Sequence, residues 1–157
     1  EFVHLSKDLV FEPKPVQRPG LPIWVGGEGT AARRRAGRLG DGWYPTIRNP
    51  KEPLDEPAAF ARSLADVRAH AEAAGRDPAA IAVAMFAPGA ALEERRHRDG
   101  RRVRFTGAVD QIVEDASAFA AIGVRTVVIN FEEAEIARAL DKIEAFGTLV
   151  LPRLQSL

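Results

Sequence analysis

Apolar and polar positions alternate along the chain in blocks that predict strands followed by helices. A compact apolar run at Leu21–Val25 precedes an alanine- and arginine-rich helix at Thr30–Leu39. A short strand at Asp41–Tyr44 precedes a second helix at Asp55–Ala74, whose apolar residues recur at the spacing of one helical face. Because Leu21–Val25 is apolar throughout, we interpret it as a strand buried on both faces.

Two further strand–helix pairs follow in the second half of the chain. Ile81–Phe86 reads as a strand, and Val109–Ile122 as an amphipathic helix. Val124–Phe131 is β-branched and almost wholly apolar, which is typical of a strand. A last helix is predicted over Ala134–Leu149, with Pro152 just beyond it.

The predicted helix ends carry recognisable capping residues. Gly40 is placed to end the first helix in the left-handed conformation, and Gly75 and Gly123 stop the second and third. Asp55 is a suitable N-cap for the second helix. Ala108 stands at the N-cap of the third, where the missing side-chain acceptor should cost roughly 1 kcal/mol.

This order of elements predicts an α/β fold with parallel strands joined by helical crossovers. Residues 1–20 read as an irregular lead-in with a short strand at Leu9–Phe11, and residues 21–157 hold about four β/α units. Two architectures fit: a small open doubly wound sheet, or half of an eight-fold (β/α) barrel with open edge strands. Periodicity leaves both open.

Composition narrows the classes of function. The 157 residues include 22 basic and 22 acidic side chains and no cysteine. We therefore expect about one cytoplasmic domain without affinity for nucleic acid or membranes, and without disulfides or thiolate metal sites. The three histidines lie in separate segments, so no metal centre is expected. Residue 1 is Glu rather than Met, so we expect the chain to be processed or part of a longer one.

The glycine-rich turn after the first strand is the best candidate for chemistry. Gly26, Gly27 and Gly29 lead directly into a helix that begins at Thr30. A turn of this kind exposes unpaired backbone N–H groups at the positive end of a helix dipole, where a phosphate binds well. The alternative is a plain glycine turn with Thr30 as N-cap. The spacing is neither that of a Walker loop nor that of the dinucleotide fingerprint.

Other polar clusters point to ordinary structural roles. The arginine-dense stretch at 93–104 is expected to be a mobile, solvated loop rather than an RNA site, because no stacking aromatic residue interleaves with it. His70 is expected at the surface and Trp24 in the core. At most one arginine of the first helix should face a ligand; they are Arg33, Arg34, Arg35 and Arg38. Neither a Ser-His-Asp triad nor a carboxylate pair is recognisable.

Residues 13–45, PKPVQRPGLPIWVGGEGTAARRRAGRLGDGWYP, resemble the central segment of the luciferase-like monooxygenase family. These are flavin- or deazaflavin-dependent oxidoreductases that resemble bacterial luciferase. Phe105-Thr-Gly107, the following helix and the strand after Gly123 are similar to the closing helix and strand of that family. The resemblance extends over most of residues 9–150.

The resemblance implies the second half of a (β/α)8 TIM barrel, beginning near its fifth strand. The parent enzyme would be an oxidoreductase or monooxygenase using FMN or the deazaflavin coenzyme F-420 on a small-molecule substrate. This chain alone would be inactive and would pair with the missing N-terminal half or form a homo-oligomer. The alternatives are a non-catalytic, self-associating half-barrel and a small unrelated phosphate-binding α/β domain. Catalytic residues are not identified.

The resemblance also implies cofactor-binding residues in two groups. The turn that would hold the cofactor phosphate consists of Gly27, Glu28, Gly29 and Thr30. The mouth of the next strand, near phosphate or ring, would carry Trp43, Tyr44, Thr46 and Arg48. Glu28 would have to turn its carboxylate away and contribute its N–H. Arg48 would be a charge partner for the phosphate or simply a solvated loop residue.

Overall fold

The sheet has four parallel strands that follow one another in chain order. A computed structural model describes residues 12–18, 20–131 and 133–155, so the strand predicted at Leu9–Phe11 lies outside the described residues. The strands are β1 (Trp24–Gly26), β2 (Gly42–Tyr44), β3 (Ala82–Ala87) and β4 (Thr126–Ile129). Each pairs in parallel with the next, which confirms the predicted parallel α/β fold.

Helices connect each strand to the next. The connecting helices are α1 (Thr30–Leu39), α2 (Pro57–Glu72) and α3 (Val109–Ala121). Two more helices, α4 (Ile136–Leu149) and the short α5 (Leu151–Leu154), follow β4. A 3₁₀ turn at Pro78–Ala80 precedes β3. Because parallel crossovers are right-handed and the strand order never reverses, the crossover helices lie on one face of the sheet.

The core fills the space between the sheet and these helices. Trp43 of β2 is fully buried and contacts Phe60 of α2, with ring centroids 5.0 Å apart. Phe60 meets Phe119 of α3 edge-on at 5.6 Å. The predicted apolar face of the second helix is confirmed, because all four of its residues are buried: Phe60, Leu64, Val67 and Ala71.

Within residues 12–18, 20–131 and 133–155, no helix covers the other face of the sheet. Thr46 pairs with Phe86 and Phe86 with Val128, and paired residues of parallel strands point to the same side. This row lies opposite the buried Trp43–Val83 pair, and none of its side chains is fully buried. We call the side of the sheet opposite the helices the bare face. A doubly wound domain covers both faces, so the half-barrel alternative is the one observed.

The first strand differs from its prediction. The strand begins at Trp24 rather than Leu21, and both Ile23 and Trp24 are exposed, so burial on both faces is wrong. Trp24 lies on the bare face over Gly42, where a Cβ would sit 2.9 Å from its indole Nε1. The predicted core position of Trp24 is therefore also wrong, because an edge strand beside a bare face leaves its large side chains uncovered.

Four predictions about the ends of helices and strands also change. Gly40 has φ −83°, so it is extended, and its N–H caps Ala36 O at 3.0 Å while the chain passes straight into β2. The second helix begins at Pro57, not Asp55, because the buried Asp55 carboxylate faces His97 instead of capping. Pro152 lies within α5, and β4 is only four residues long.

Ala108 is the N-cap of α3, as predicted. Its own N–H donates to Gln111 Oε1 at 2.8 Å, but its methyl group offers no acceptor in return. Among the described residues, no helix is long and apolar enough to cross a membrane.

Candidate functional site

The turn between β1 and α1 presents backbone amides at the start of a helix. Gly29 is the N-cap, and its carbonyl accepts from the amides of Ala32 and Arg33. Within the described part of the chain, the amides of Glu28, Gly29 and Thr30 donate to no acceptor. These three N–H groups, at the positive end of the α1 dipole, are suited to an anion.

Gly27 plays a different part in this turn. Its φ of +100° is one that side chains rarely adopt, and a Cβ there would lie 3.0 Å from the Cβ of Ala32. Gly26 pairs with Tyr44 in a parallel ladder. In a parallel ladder, such a pair is closed by the amide of the residue that follows one of its two members. Pro45 follows Tyr44 and has no N–H, so the amide that closes the pair is that of Gly27, which is directed toward β2. Gly27 therefore shapes the turn.

The Glu28 carboxylate points away from the turn. Its Oε1 accepts from the Thr46 amide at 2.7 Å, and its Oε2 accepts from Asn49 Nδ2 at 2.6 Å. Glu28 is buried, and its carboxylate connects the turn to the loop after β2. Asn49 was not predicted as a site residue, and its place next to a proline is the only sequence signal that marks its loop.

Arg33 holds the same turn from α1. Its Nε donates to Asp66 at 2.7 Å, and its Nη1 lies 3.1 Å from Glu52 Oε2 and bonds to the Glu28 carbonyl. Its Nη2 donates to Thr30 Oγ1 at 3.2 Å. The other arginines of α1 are exposed. Arg33 lies three positions after Thr30, which places both side chains on one side of the helix, but Arg34 lies at the equally close spacing of four, so the sequence did not single out Arg33.

The residues predicted at the mouth of the second strand differ in burial. The fully buried Trp43 donates from its indole Nε1 to Gly27 O at 3.0 Å, so it supports the turn from within the core. Tyr44 is half-buried, with its ring 6.2 Å from that of Trp24. Thr46 is half-buried on the bare face.

Arg48 lies against the loop after β3. A Cβ on Gly89 would be 3.2 Å from Arg48 Nη2 and 3.3 Å from Arg95 Nη1, so two guanidinium groups meet at this glycine. The Gly89 amide donates to Asn130 Oδ1 at 2.6 Å, which joins the loops after β3 and β4. The carboxyl ends of β2, β3 and β4 thus come together at Arg48.

The arginine-dense stretch is anchored by a buried carboxylate, so the prediction of a wholly solvated loop is wrong. Asp115 of α3 is only 1% exposed. It accepts from Arg102 at 2.7 and 2.9 Å, from Arg104 at 2.9 Å and from the Phe105 amide at 2.8 Å. Phe105 has φ +61°, and these bonds hold it there.

The tip of that stretch stays at the surface. A hydrogen bond from the Arg101 side chain holds the pKa of Asp99 below its usual value. His97 Nε2 lies 3.2 Å from Asp55 Oδ2. His70 is half-buried and 3.5 Å from Asp66, so its predicted surface position holds only in part. No described group of histidine or carboxylate side chains could hold a metal.

Comparison with known proteins gives a consistent family. The sequence profile of the luciferase-like monooxygenases matches residues 1–139. An FMNH2-dependent dimethylsulfone monooxygenase of Pseudomonas putida is 28% identical over 96% of this chain and 51% of its own length. A phthiodiolone/phenolphthiodiolone dimycocerosates ketoreductase of Mycobacterium tuberculosis is 33% identical over 47% of the chain and 18% of its own. The chain thus spans about half, or less, of these curated relatives.

Solved structures share the fold. The EDTA monooxygenase of Chelativorans sp. BNC1 superposes with a TM-score of 0.65 at 18% identity, over 98% of this chain and 49% of its own. The coenzyme F420-dependent tetrahydromethanopterin reductase of Methanopyrus kandleri gives 0.64 at 15% identity, over 85% of this chain and 51% of its own. In each case, four β/α units match about half of the larger structure.

Proposed function

Because the chain belongs to the luciferase-like monooxygenase family, we propose that it forms the cofactor-phosphate side of a barrel oxidoreductase. The observation that carries this proposal is the turn of Glu28, Gly29 and Thr30, whose amides donate to no acceptor among the described residues. The cofactor is FMN or coenzyme F420, and the substrate is a small molecule. Whole-enzyme activity requires a complete barrel, so this chain alone is inactive.

The electrostatics of the turn suit a phosphate. The Glu28 carboxylate is bound to Thr46 and Asn49, so it does not face the amides. Thr30 Oγ1 accepts from Arg33, which leaves the hydroxyl proton to donate to a phosphate oxygen. Hydrogen bonds to a charged acceptor are about twice as strong as neutral ones.

The remaining residues support or orient the cofactor. Trp43 and Gly27 fix the shape of the turn through their hydrogen bond. Tyr44 and Thr46 lie on the bare face and would face the ring of a bound cofactor. A flavin or deazaflavin, when bound, supplies the redox chemistry, and the protein binds and orients it. Arg48 adds positive charge farther along the same end of the sheet.

Fluorescence titration of the chain with FMN, riboflavin and coenzyme F420 tests this proposal. We expect FMN, coenzyme F420 or both to bind. If FMN binds, riboflavin, which lacks the phosphate, should bind at least tenfold more weakly than FMN. Thr30→Val should weaken binding of that cofactor about tenfold or more, since a hydrogen bond to a charged group contributes about 1.5–3 kcal/mol.

The matched control is Thr148→Val, an exposed threonine on α4. It should leave cofactor affinity unchanged. If FMN binds, an equal affinity for riboflavin would reject the proposed phosphate site. An equal loss in both threonine variants, or no binding of FMN or coenzyme F420 at millimolar concentration, would also reject it.

A further inference from the structure

Two arginine side chains from different loops meet beside Gly89, at the carboxyl ends of the strands. Arg48 belongs to the loop after β2 and Arg95 to the loop after β3. A Cβ on Gly89 would lie 3.2 Å from Arg48 Nη2 and 3.3 Å from Arg95 Nη1, so these two nitrogen atoms are no farther apart than the sum of the two distances. Like charges this close repel each other, and an anion between them removes the repulsion.

Glycine at position 89 provides the room for this arrangement. Gly89 has a φ of +66°, and its amide donates to Asn130 Oδ1 at 2.6 Å, which fixes the loop. A side chain at this position would enter the space that the two guanidinium groups share. The approach of the two arginines therefore depends on the shape of the loop after β3 as well as on the arginines themselves.

Arg95 has donors available for a ligand. Its side chain is exposed and forms no hydrogen bond or ion pair with the described residues. The hydrogen bond from Lys142 holds the pKa of Glu133 below its usual value, and the charge of Arg95 adds a smaller effect in the same direction. Because Glu133 already binds Lys142, it does not occupy Arg95.

Arg48 approaches the same point from a more buried position. It is half-buried, and its Nε is enclosed by protein atoms, so its terminal nitrogens are the ones that reach Gly89. A guanidinium group carries five N–H donors. A contact of Arg48 with the protein therefore still leaves donors for a ligand.

We infer that Arg48 and Arg95 bind a carboxylate or sulfonate group of the substrate. This inference rests on the proposed function, because it assigns a substrate class to the same end of the sheet as the cofactor turn. The planar fork of a guanidinium group pairs with two oxygens of such an anion. Thr46, two residues before Arg48, lies on the bare face, so an anion held here is next to the face proposed for the cofactor ring. The expected substrate is a small organic anion rather than an uncharged molecule.

NMR titration of the chain with sodium benzoate and with benzamide, at constant ionic strength, tests this inference. Benzamide has nearly the same shape as benzoate but no charge. We expect benzoate to shift the Gly89 amide signal, and benzamide to bind about tenfold more weakly, since hydrogen bonds to a charged group are the stronger ones. Arg95→Gln should weaken benzoate binding by about the same factor. Arg98→Gln, which removes an exposed arginine from the same loop, should leave it unchanged.

Gly89→Ala moves the guanidinium groups apart without changing the charge, so it should also weaken benzoate binding. Gly100→Ala is its matched control, because Gly100 also has a positive φ, +84°, but a Cβ there would meet nothing within 4 Å. Circular dichroism checks that each variant is folded. Equal binding of benzoate and benzamide, or equal effects within the pair of arginine variants or the pair of glycine variants, would overturn the inference.

Titration of Arg95→Gln with FMN and coenzyme F420 separates this inference from the proposed function. We expect cofactor affinity to be unchanged in Arg95→Gln and reduced in Thr30→Val. A reduced cofactor affinity in Arg95→Gln would assign the arginines to the cofactor and overturn the inference. Cofactor binding without benzoate binding rejects the substrate site alone, whereas benzoate binding without cofactor binding rejects the cofactor turn and supports the arginine site.

Discussion

At the scale of single residues, buried carboxylates organise the loops of this chain. Glu28 ties the turn after β1 to the loop after β2. Asp115 gathers Arg102, Arg104 and the Phe105 amide into one network at the start of α3. Removing one partner from such a network destabilises the folded chain by more than the intact network stabilises it, because the remaining charges stay partly buried.

Asp115→Asn should therefore destabilise the chain by about 3 kcal/mol, the lower end of the range for buried ion pairs, since both arginines keep some solvent contact. Thermal unfolding followed by circular dichroism measures the loss. Asp110→Asn is the control, because that aspartate pairs with Arg153 at the surface and should cost about 1 kcal/mol or less. Equal losses in the two variants would contradict the assigned role of Asp115.

At the scale of elements, α1 and α2 pack against each other at a glycine. A Cβ on Gly37 would lie 2.7 Å from His70 Cβ, 2.9 Å from the Ala71 amide nitrogen and closer still to the Val67 carbonyl oxygen. Two of these three contacts are backbone atoms, which cannot turn aside as a flexible side chain can. The close approach of the two helices therefore requires glycine at this position.

Gly37→Ala should reduce the free energy of unfolding by about 2 kcal/mol, because overpacking outweighs the gain in helix propensity. Gly147→Ala has the opposite sign. Gly147 also lies within a helix, but a Cβ there would meet nothing within 4 Å, so alanine should stabilise by about 0.5–1 kcal/mol. Denaturant titration compares the pair, and a stabilised Gly37→Ala variant would refute the close packing.

At the scale of the whole molecule, each described strand pairs with the next one along the chain, but the four strands form an open sheet rather than a closed barrel. Four parallel strands leave β1 and β4 each with a neighbour on one side only among the described residues. The TM-scores of 0.64–0.65 against structures twice as long describe the same geometry, that of one half of a barrel.

Local patterns explain why much of the fold was predictable. The helix at Thr30–Leu39 has the predicted bounds, because alanine and arginine favour helix and glycine flanks both ends. The apolar spacing of Phe60, Leu64 and Val67 identified the buried face of α2. Strand burial was mispredicted because a run of apolar residues does not reveal whether a neighbouring layer exists. Trp24 is the clearest case, since it is 43% exposed.

The candidate site shows the same division. The glycine turn was recognisable from the spacing of Gly27, Gly29 and Thr30, but the contacts of Arg33 with Asp66 and Glu52 join distant parts of the chain. Nothing local distinguishes Arg33 from the two arginines that follow it. Its orientation depends on α2 and on the loop after β2, so only the folded chain identifies it.

The sequence by itself determined the order of strands and helices, the parallel sheet and the family, because each depends on short-range periodicity or on a contiguous motif. Tertiary structure alone decided which face of the sheet is bare and which carboxylates are buried. It also decided which arginine supports the turn. Those properties arise from atoms that are far apart in the chain and meet only when the layers pack.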